Sequence, residues 1–199
     1  MRLVWCPERP DARPRRQRID ALLRQVLAPL ADAAPAALVF GRERKGRPFL
    51  RPEPTPDFNL TDTGGGSLIA ICRHGRVGVD IERHDRQLPV ARLAARWFAA
   101  EEAQALAALD AEAARVAFLR LWTAKEASCK ATGTGIFGYL PRWQFEVTET
   151  APIARAVPDD AGAPERWRFL RLAPSPEHTA VVAMRDANFV RVNGYTLSD

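Results

Sequence analysis

The chain has 199 residues, of which 47% are hydrophobic and 27% charged, values typical of a globular protein with one large domain or two small lobes. The sequence contains no run of about 18 apolar residues, and its start lacks the order of regions found in a signal peptide. Its three cysteines and three histidines are too dispersed for a disulfide framework or a zinc site. We therefore expect a cytoplasmic protein. The formal net charge of +5 favours anionic partners such as phosphates or acidic proteins, and the lack of an aromatic-interleaved basic tract makes nucleic acid the weaker option.

The first thirty residues predict a strand followed by an amphipathic helix. Residues 2–6 have strand character, and a basic run from Arg13 to Arg18 leads into the helix. The helix has an apolar stripe at helical spacing, formed by Ile19, Leu22, Leu23, Val26, Leu27 and Leu30. The basic run fits a phosphate-binding helix entrance, and it fits a solvated basic helix end at least as well.

Short strands are predicted between residues 38 and 82. A possible strand at 38–40 precedes a charged turn at 41–48, and the prolines that follow require an extended segment. The triple glycine at 64–66 predicts a hairpin turn before an apolar strand at 67–72. A turn then leads to residues 77–82, which we expect to be the partner strand.

The second half of the sequence changes from helical to β-rich. Residues 90–109 predict two helical pieces that meet near Phe98 and Ala99, and residues 111–131 predict one long helix that ends at Gly133. Four strands are predicted after this helix, at 143–147, 167–172, 179–184 and 188–192. Helices and strands in separate blocks indicate an α+β fold class.

The long helix carries the first candidate site. Trp122, Glu126 and Lys130 are four residues apart and therefore share one face, whereas Lys125 points about 100° away. Only three lysines occur among the 29 Lys and Arg residues, and two of them lie on this helix. Compact ammonium groups suit phosphate oxygens. An ordinary solvated ion pair between Glu126 and Lys130 would have the same spacing.

The second candidate site is the pair Asp80 and Glu82. Strand residues two apart point to the same side, about 7 Å apart, and can converge on one cation. Oxygen ligands alone favour Mg²⁺ over zinc or copper. An exposed pair on an edge strand is the alternative. With Glu126 and the two lysines, these carboxylates form a set suited to a Mg²⁺-bound pyrophosphate.

Two motifs carry a family resemblance. Gly78-Val79-Asp80-Ile81-Glu82, followed by Trp122-Thr123-Ala124-Lys125-Glu126-Ala127-Ser128-Cys129-Lys130, resembles the 4′-phosphopantetheinyl transferases, in particular their monomeric surfactin-type branch. Weaker matches fall in the right order, and the resemblance covers residues 13 to 138. These weaker matches are Gly46-Arg47-Pro48, Phe58-Asn59-Leu60-Thr61-Asp62-Thr63 and Trp97-Phe98-Ala99-Ala100-Glu101-Glu102.

The resemblance implies a monomer in which two similar α+β lobes form a pseudo-dimer. We expect lobes at 1–76 and 77–199, with the metal site in the second lobe and the coenzyme A site between them. A faint similarity between the apolar hairpins at 68–79 and 180–191 agrees with such a duplication. The implied reaction transfers phosphopantetheine from coenzyme A to a serine of an acidic acyl or peptidyl carrier protein and releases 3′,5′-ADP, with neither nucleic acid nor a membrane as partner.

The resemblance also implies roles for single residues. Asp80, Glu82 and Glu126 would hold Mg²⁺ on the pyrophosphate, and Lys125 and Lys130 would contact its oxygens. Glu102 matches a glutamate proposed in relatives to help deprotonate the serine, directly or through water, and Glu126 competes with it for that role. Lys130 would also serve the chemical step by neutralising charge on the leaving group.

The donor site contains one departure from the family pattern. Thr61-Asp62-Thr63 stands where relatives commonly have Ser-His-Ser or Ser-His-Thr, whose histidine binds the nucleotide 3′-phosphate, and Arg47 replaces the lysine that contacts the same phosphate. A carboxylate at Asp62 would repel that phosphate. Either Asp62 turns away and the arginines bind the phosphate, or selectivity for it is relaxed. A catalytically silent homologue that binds coenzyme A or a carrier and a Mg²⁺-dependent phosphohydrolase are the alternative functions.

Overall fold

A computed structural model describes residues 1–8, 11–52, 56–146, 148–149, 151–187 and 193–196 of the chain. The described residues combine helices and sheets, which confirms the α+β class. The predicted strand at 188–192 lies outside them. The predicted strand at 143–147 is reduced to Gln144–Phe145, with residue 147 also outside the described part.

The α-helices lie where the sequence predicts them. They are α1 (Arg15–Leu27), α2 (Val90–Trp97), α3 (Ala100–Ala107) and α4 (Ala111–Thr132). The longest, α4, begins after Asp110, whose side chain accepts hydrogen bonds from the backbone N–H groups of Glu112 and Ala113. It ends at Gly133, whose φ of 73° is a left-handed conformation that suits glycine. Within the described ranges, no helix combines the length and apolarity needed to cross a membrane.

The strands form two main sheets and two small ribbons. They are β1 (Arg2–Pro7), β2 (Val39–Arg42), β3 (Pro48–Arg51), β4 (Asp57–Thr63), β5 (Gly66–Cys72), β6 (Arg76–Arg83), β7 (Gln144–Phe145), β8 (Ala154–Ala156), β9 (Trp167–Leu172), β10 (His178–Arg185) and β11 (Asn193–Thr196). The first sheet has the order β11-β1-β5-β4 and the second has β6-β10-β9. β2 pairs with β3, and β7 with β8. Since β11 runs parallel to β1, the chain returns to its first sheet.

The expected pairing of β5 with β6 is wrong. β5 pairs with β1 on one edge and with β4 on the other, so both of its backbone edges are occupied. β6 pairs instead with β10, with Asp80 opposite Val181 and Glu82 opposite Thr179. An apolar strand–turn–strand pattern favours a hairpin, but it carries no information about a crossing into another sheet.

The elements pack as four layers, in the order α1, first sheet, second sheet, and the group α2 to α4. One face of the first sheet packs on α1, with Leu27 and Ile69 in the contact. Its other face packs on the second sheet through Leu68 and Val79. The far face of the second sheet, which carries Val181, packs on the helices α2 to α4.

Side chains of β4 join the two sheets at the free edge of β6. The carboxylate of Asp57 accepts a hydrogen bond from the N–H of Val77 at 2.7 Å, and the side-chain oxygen of Asn59 accepts one from Val79 at 3.0 Å. We call this contact the seam. Two backbone donors on the free edge of β6 are therefore satisfied by side chains where another strand would otherwise be needed.

Gly78 allows α4 to lie directly on β6. A Cβ atom at this position would lie 2.0 Å from the carbonyl oxygen of Ala127 and 2.4 Å from the nitrogen of Ala131. Any side chain would therefore push the helix away from the strand. The close approach places the polar residues of α4 beside those of β6.

Candidate active site

Charged side chains from β6 and α4 meet next to the seam. β6 contributes Asp80 and Glu82, and α4 contributes Glu126 and Lys130 from successive turns. A cavity of about 420 Å³, here called the acidic cavity, is lined by Asp80, Glu82, Lys130 and Thr61 among others. Glu126 interacts electrostatically with Asp80, Glu82 and Lys130. The structure thus brings together six of the predicted site residues, namely the five named above and Asp62, which also lines this cavity.

Asp80 is at the centre of this cluster. The ammonium of Lys130 donates to Asp80 Oδ1 at 2.6 Å and to Thr61 Oγ1 at 3.1 Å, and the Thr61 hydroxyl donates to Asp80 Oδ1 at 3.2 Å. Burial opposes the charge on Lys130, but Asp80 and Glu126 outweigh burial and raise the pKa of this lysine. The second oxygen of Asp80, Oδ2, is buried and has no hydrogen-bond partner among the described residues.

The two glutamates carry unfavourable negative charge. Burial, followed by the nearby Asp80, raises the pKa of Glu82, although the guanidinium of Arg86 donates to its carboxylate. Burial and then Asp80 also raise the pKa of Glu126 to about 7, against the opposing effect of Lys130. Three carboxylates therefore share two cations, and the cluster favours additional positive charge.

The chemistry of this cluster fits a hard divalent cation. All candidate ligands are carboxylate oxygens, the type that Mg²⁺ prefers, and Asp80 Oδ2 is a buried acceptor without a donor. In the part of the chain that the structure describes, no three His, Cys, Asp or Glu side chains are already grouped for a metal ion. One of these carboxylates, that of Asp80, is already paired with the ammonium of Lys130. The carboxylates thus supply suitable ligands without forming a finished site.

Lys125 points away from the acidic cavity into the protein core. Its side chain has no exposed surface, and its ammonium forms an ion pair with Glu102 at 2.7 Å. The same ammonium donates to the carbonyl of Leu140 at 3.0 Å and to the carbonyl of Trp143. These three acceptors use all three N–H groups of a lysine. In contrast to the expected phosphate contact, Lys125 has no donor left for a ligand.

Glu102 is committed to the same buried network. Its Oε2 accepts from the backbone N–H of Ala99 at 3.0 Å, and its Oε1 accepts from that of Phe145 at 2.9 Å. Glu102 is only 4% exposed. The pair Lys125–Glu102 therefore ties α4 to the start of α3 and to β7, and the structure does not bring Glu102 to the acidic cavity.

Arg47 also has internal partners rather than a free guanidinium. Both terminal nitrogens donate to Asp57, at 2.9 and 2.7 Å, and Nη2 donates to the carbonyl of Val77 at 2.8 Å. Its Nε donates to the carbonyl of Lys130 at 2.9 Å. Arg47 thus fastens α4 to the seam, and its side chain does not face the acidic cavity.

Asp62 lies at the boundary between the acidic cavity and a second cavity. Arg15 binds its carboxylate in a bidentate manner, with Nε to Oδ2 at 2.7 Å. The second cavity, of about 270 Å³, is here called the basic cavity after its three arginines, Arg13, Arg15 and Arg18, and the carboxylates of Glu8, Asp11 and Asp62 also line it. The Arg15–Asp62 pair is neither of the two options left open for Asp62, and the choice between them stays a prediction.

Sequence reasoning missed the residues that hold the site together. Asp57 and Asn59 alternate with apolar residues along β4, and this period of two is a signal for a polar strand face that could have been used. Arg86 lies four residues after Glu82, but the segment between them is not helical, so the spacing alone carries no information about their contact. The partner of Lys125 had no local signal.

Similarity to known proteins agrees with this geometry. The family model described as the 4′-phosphopantetheinyl transferase superfamily matches residues 76–183, which include β6 and α4. The protein slr0495 of Synechocystis, whose name assigns it to this family, is 36% identical over 164 residues, covering 81% of this chain and 65% of that protein. The 4′-phosphopantetheinyl transferase HetI of Nostoc is 31% identical over 82% of this chain and 67% of its own length.

A third relative represents the branch that the sequence motifs resemble. The 4′-phosphopantetheinyl transferase Sfp of Bacillus subtilis is 25% identical over 141 residues, covering 70% of this chain and 61% of that protein. The chain thus spans about two thirds of the length of the curated relatives it matches.

Proposed function

This chain belongs to the 4′-phosphopantetheinyl transferase superfamily, in its Sfp-like branch, and on that premise we propose that it transfers 4′-phosphopantetheine from coenzyme A to a serine of an acyl or peptidyl carrier protein. The observation that carries the proposal is the meeting of Asp80 and Glu82 on β6 with Glu126 and Lys130 on α4, beside a cavity. That arrangement combines metal-binding oxygens with an ammonium group, as transfer from a diphosphate requires.

Asp80, Glu82 and Glu126 would hold Mg²⁺ in this proposal. The support is the oxygen-only ligand set and the unpartnered Oδ2 of Asp80. When bound, the metal would neutralise negative charge on the diphosphate and on the leaving nucleotide. The three carboxylates are not grouped as a finished site in the described residues, so they would have to converge for the metal to bind.

The proposed chemical step is a substitution at phosphorus. The serine oxygen of the carrier forms a bond to the phosphorus that bears the pantetheine, and the bond from that phosphorus to the oxygen of 3′,5′-ADP breaks. The serine proton passes to a base, for which Glu126 or a water molecule beside it is our candidate because Glu102 is buried with both oxygens occupied. Lys130 would stabilise charge on the diphosphate.

The remaining predicted site residues take supporting roles in this proposal. Lys125 and Glu102 hold α4 against its neighbours, and Arg47 holds the same helix against the seam. Thr61 orients Lys130 and Asp80, and Asp62 faces the donor from the cavity boundary. Because Glu126 and Lys130 lie on α4, any displacement of this helix would move both side chains relative to Asp80.

The charge of the protein supports the proposed partner. A net charge of +5 favours association with an acidic carrier, because opposite potentials accelerate encounter. We propose that the protein works as a monomer in the cytoplasm, with coenzyme A as co-substrate and with neither nucleic acid nor a membrane as partner.

Mass spectrometry of intact carrier protein tests the function. An apo carrier incubated with the protein, Mg²⁺ and coenzyme A is expected to gain one phosphopantetheinyl group, with release of 3′,5′-ADP. Coenzyme A binding without any mass change on a panel of carriers would favour a silent homologue. Release of inorganic phosphate without carrier modification would favour a phosphohydrolase. Either result would overturn the proposal.

A further inference from the structure

A single ion pair separates the two cavities of the candidate site. Three residues line both the acidic cavity and the basic cavity, namely Arg15, Asp62 and Thr63. Two of them, Arg15 at the start of α1 and Asp62 on β4, bind each other. The carboxylate–guanidinium pair therefore stands at the boundary that a ligand would cross if it occupied both cavities.

This ion pair has well-defined bidentate geometry, but separating it costs little free energy. Two parallel contacts, Nε to Oδ2 at 2.7 Å and Nη2 to Oδ1 at 2.5 Å, fill the fork of the guanidinium. The side chain of Arg15 is 68% exposed, whereas that of Asp62 is 20% exposed. Exposed ion pairs contribute little net free energy, because water solvates the separated charges well.

The same fork of Arg15 fits a phosphate group. A guanidinium presents donors that match the oxygens of a carboxylate and of a phosphate in the same bidentate way. Among the neighbouring cations, Arg13 binds Asp11 and Lys130 binds Asp80, whereas Arg18 also lines the basic cavity, and Arg15 itself is paired with Asp62. A phosphate that enters at the boundary must therefore compete with a carboxylate for Arg15, and it also meets the negative charge of Asp62.

We propose that Arg15 and Asp62 form a latch between the two cavities, which opens when a phosphate group of the ligand replaces Asp62 on Arg15. The inference rests on the proposed function, because it assigns that phosphate to the coenzyme A donor. Asp62 then acts as a specificity-determining residue that lowers the affinity for phosphate, because it competes with the phosphate for Arg15.

The test measures binding by isothermal titration calorimetry at constant ionic strength with Mg²⁺, using coenzyme A and inorganic pyrophosphate as probes. Asp62→Asn keeps the shape of the side chain but removes its charge, so both probes are expected to bind about two to five times more tightly, or roughly 0.4 to 1 kcal/mol. Arg15→Gln is expected to weaken both by a similar factor. In the double variant, the gain from Asp62→Asn is expected to fall by at least about half.

Asp20→Asn is the matched control. Asp20 forms an ion pair with Arg24 on the same helix and lines neither cavity, so its removal changes the net charge equally without touching the latch. Its effect on both probes is expected to be clearly smaller. Circular dichroism spectra confirm that each variant keeps the fold.

The results separate the latch from the proposed function. If coenzyme A binds and carriers are modified, but Asp62→Asn binds no tighter than Asp20→Asn or binds more weakly, the latch is overturned and the function stands. If coenzyme A does not bind but Asp62→Asn tightens pyrophosphate binding, the function fails and the latch stands. Binding of neither probe to any variant would overturn both.

Discussion

Lys125 and Lys130 allow a direct comparison of a structural lysine with a site lysine. They lie five residues apart on α4, and each is paired with one carboxylate. The side chain of Lys125 has no exposed surface and that of its partner Glu102 is 5% exposed, whereas the side chain of Lys130 is 28% exposed. Changing each to methionine removes the charge while keeping most of the apolar stem.

Lys125→Met should destabilise the fold strongly. Removal of one partner from a buried ion pair leaves the other charge uncompensated, which typically costs about 3–5 kcal/mol. The carbonyls of Leu140 and Trp143 also lose their donor. At about 2–4 °C per kcal/mol for a chain of this size, we expect the melting temperature to fall by about 6–20 °C.

Urea unfolding followed by circular dichroism measures the effect. The double variant Lys125→Met/Glu102→Gln should recover part of the loss, because the uncompensated carboxylate is gone. Lys130→Met is the control, with a smaller loss of stability but a large loss of carrier modification. A Lys125→Met protein that keeps its stability and instead shows a raised KM for coenzyme A would refute the reasoning and make Lys125 a donor ligand.

Further predictions concern α4 and the acidic cavity. Gly78→Ala should lower the free energy of unfolding in urea by at least about 1–3 kcal/mol and abolish carrier modification, because the added Cβ would clash with Ala127. Gly64→Ala is the control and should be tolerated, since its nearest contact would lie at 3.6 Å. Equal effects of the two substitutions would contradict the close approach of α4 to β6 as the cause. Asp80→Asn should lower the transfer rate by about 100-fold or more, with a smaller fall in melting temperature than Lys125→Met because Lys130 is partly exposed. A rate above half that of the wild type would remove Asp80 from the site. The pKa of Glu126 is raised to about 7 from an ordinary 4.5, so its contribution to stability is present below about pH 4.5 and is lost as the pH rises through about 7. In EDTA, the free energy of unfolding of the wild type should therefore fall relative to that of Glu126→Gln between these two pH values. A rise instead would be incompatible with a raised pKa.

The helices and the acidic cluster were predictable because their signals are local. The extent of α4 follows from the helical composition of residues 111–131 and the stop at Gly133, and the meeting of α2 with α3 follows from residues around Phe98. The motif around Asp80 and the motif around Glu126 each identify one side of the site. Once β6 and α4 are recognised as contacting elements, these carboxylates must lie close together.

The directions of the buried cations were not predictable, because they depend on distant parts of the chain. Lys125 finds its carbonyl partners 15 and 18 residues away, and the Nε of Arg47 reaches a carbonyl 83 residues away. A sequence motif identifies a lysine or arginine but not the cavity into which it points. The pairing of β6 with β10 depends in the same way on which edges earlier strands have already used.

The seam has a consequence for how motion in the protein can be observed. Because the N–H groups of Val77 and Val79 donate to the side chains of Asp57 and Asn59, separation of the two sheets frees these two amides without breaking any backbone ladder. Hydrogen–deuterium exchange at these amides therefore reports breathing between the sheets separately from unfolding of either one. Coenzyme A bound across both cavities should slow hydrogen–deuterium exchange at the amides of Val77 and Val79 together.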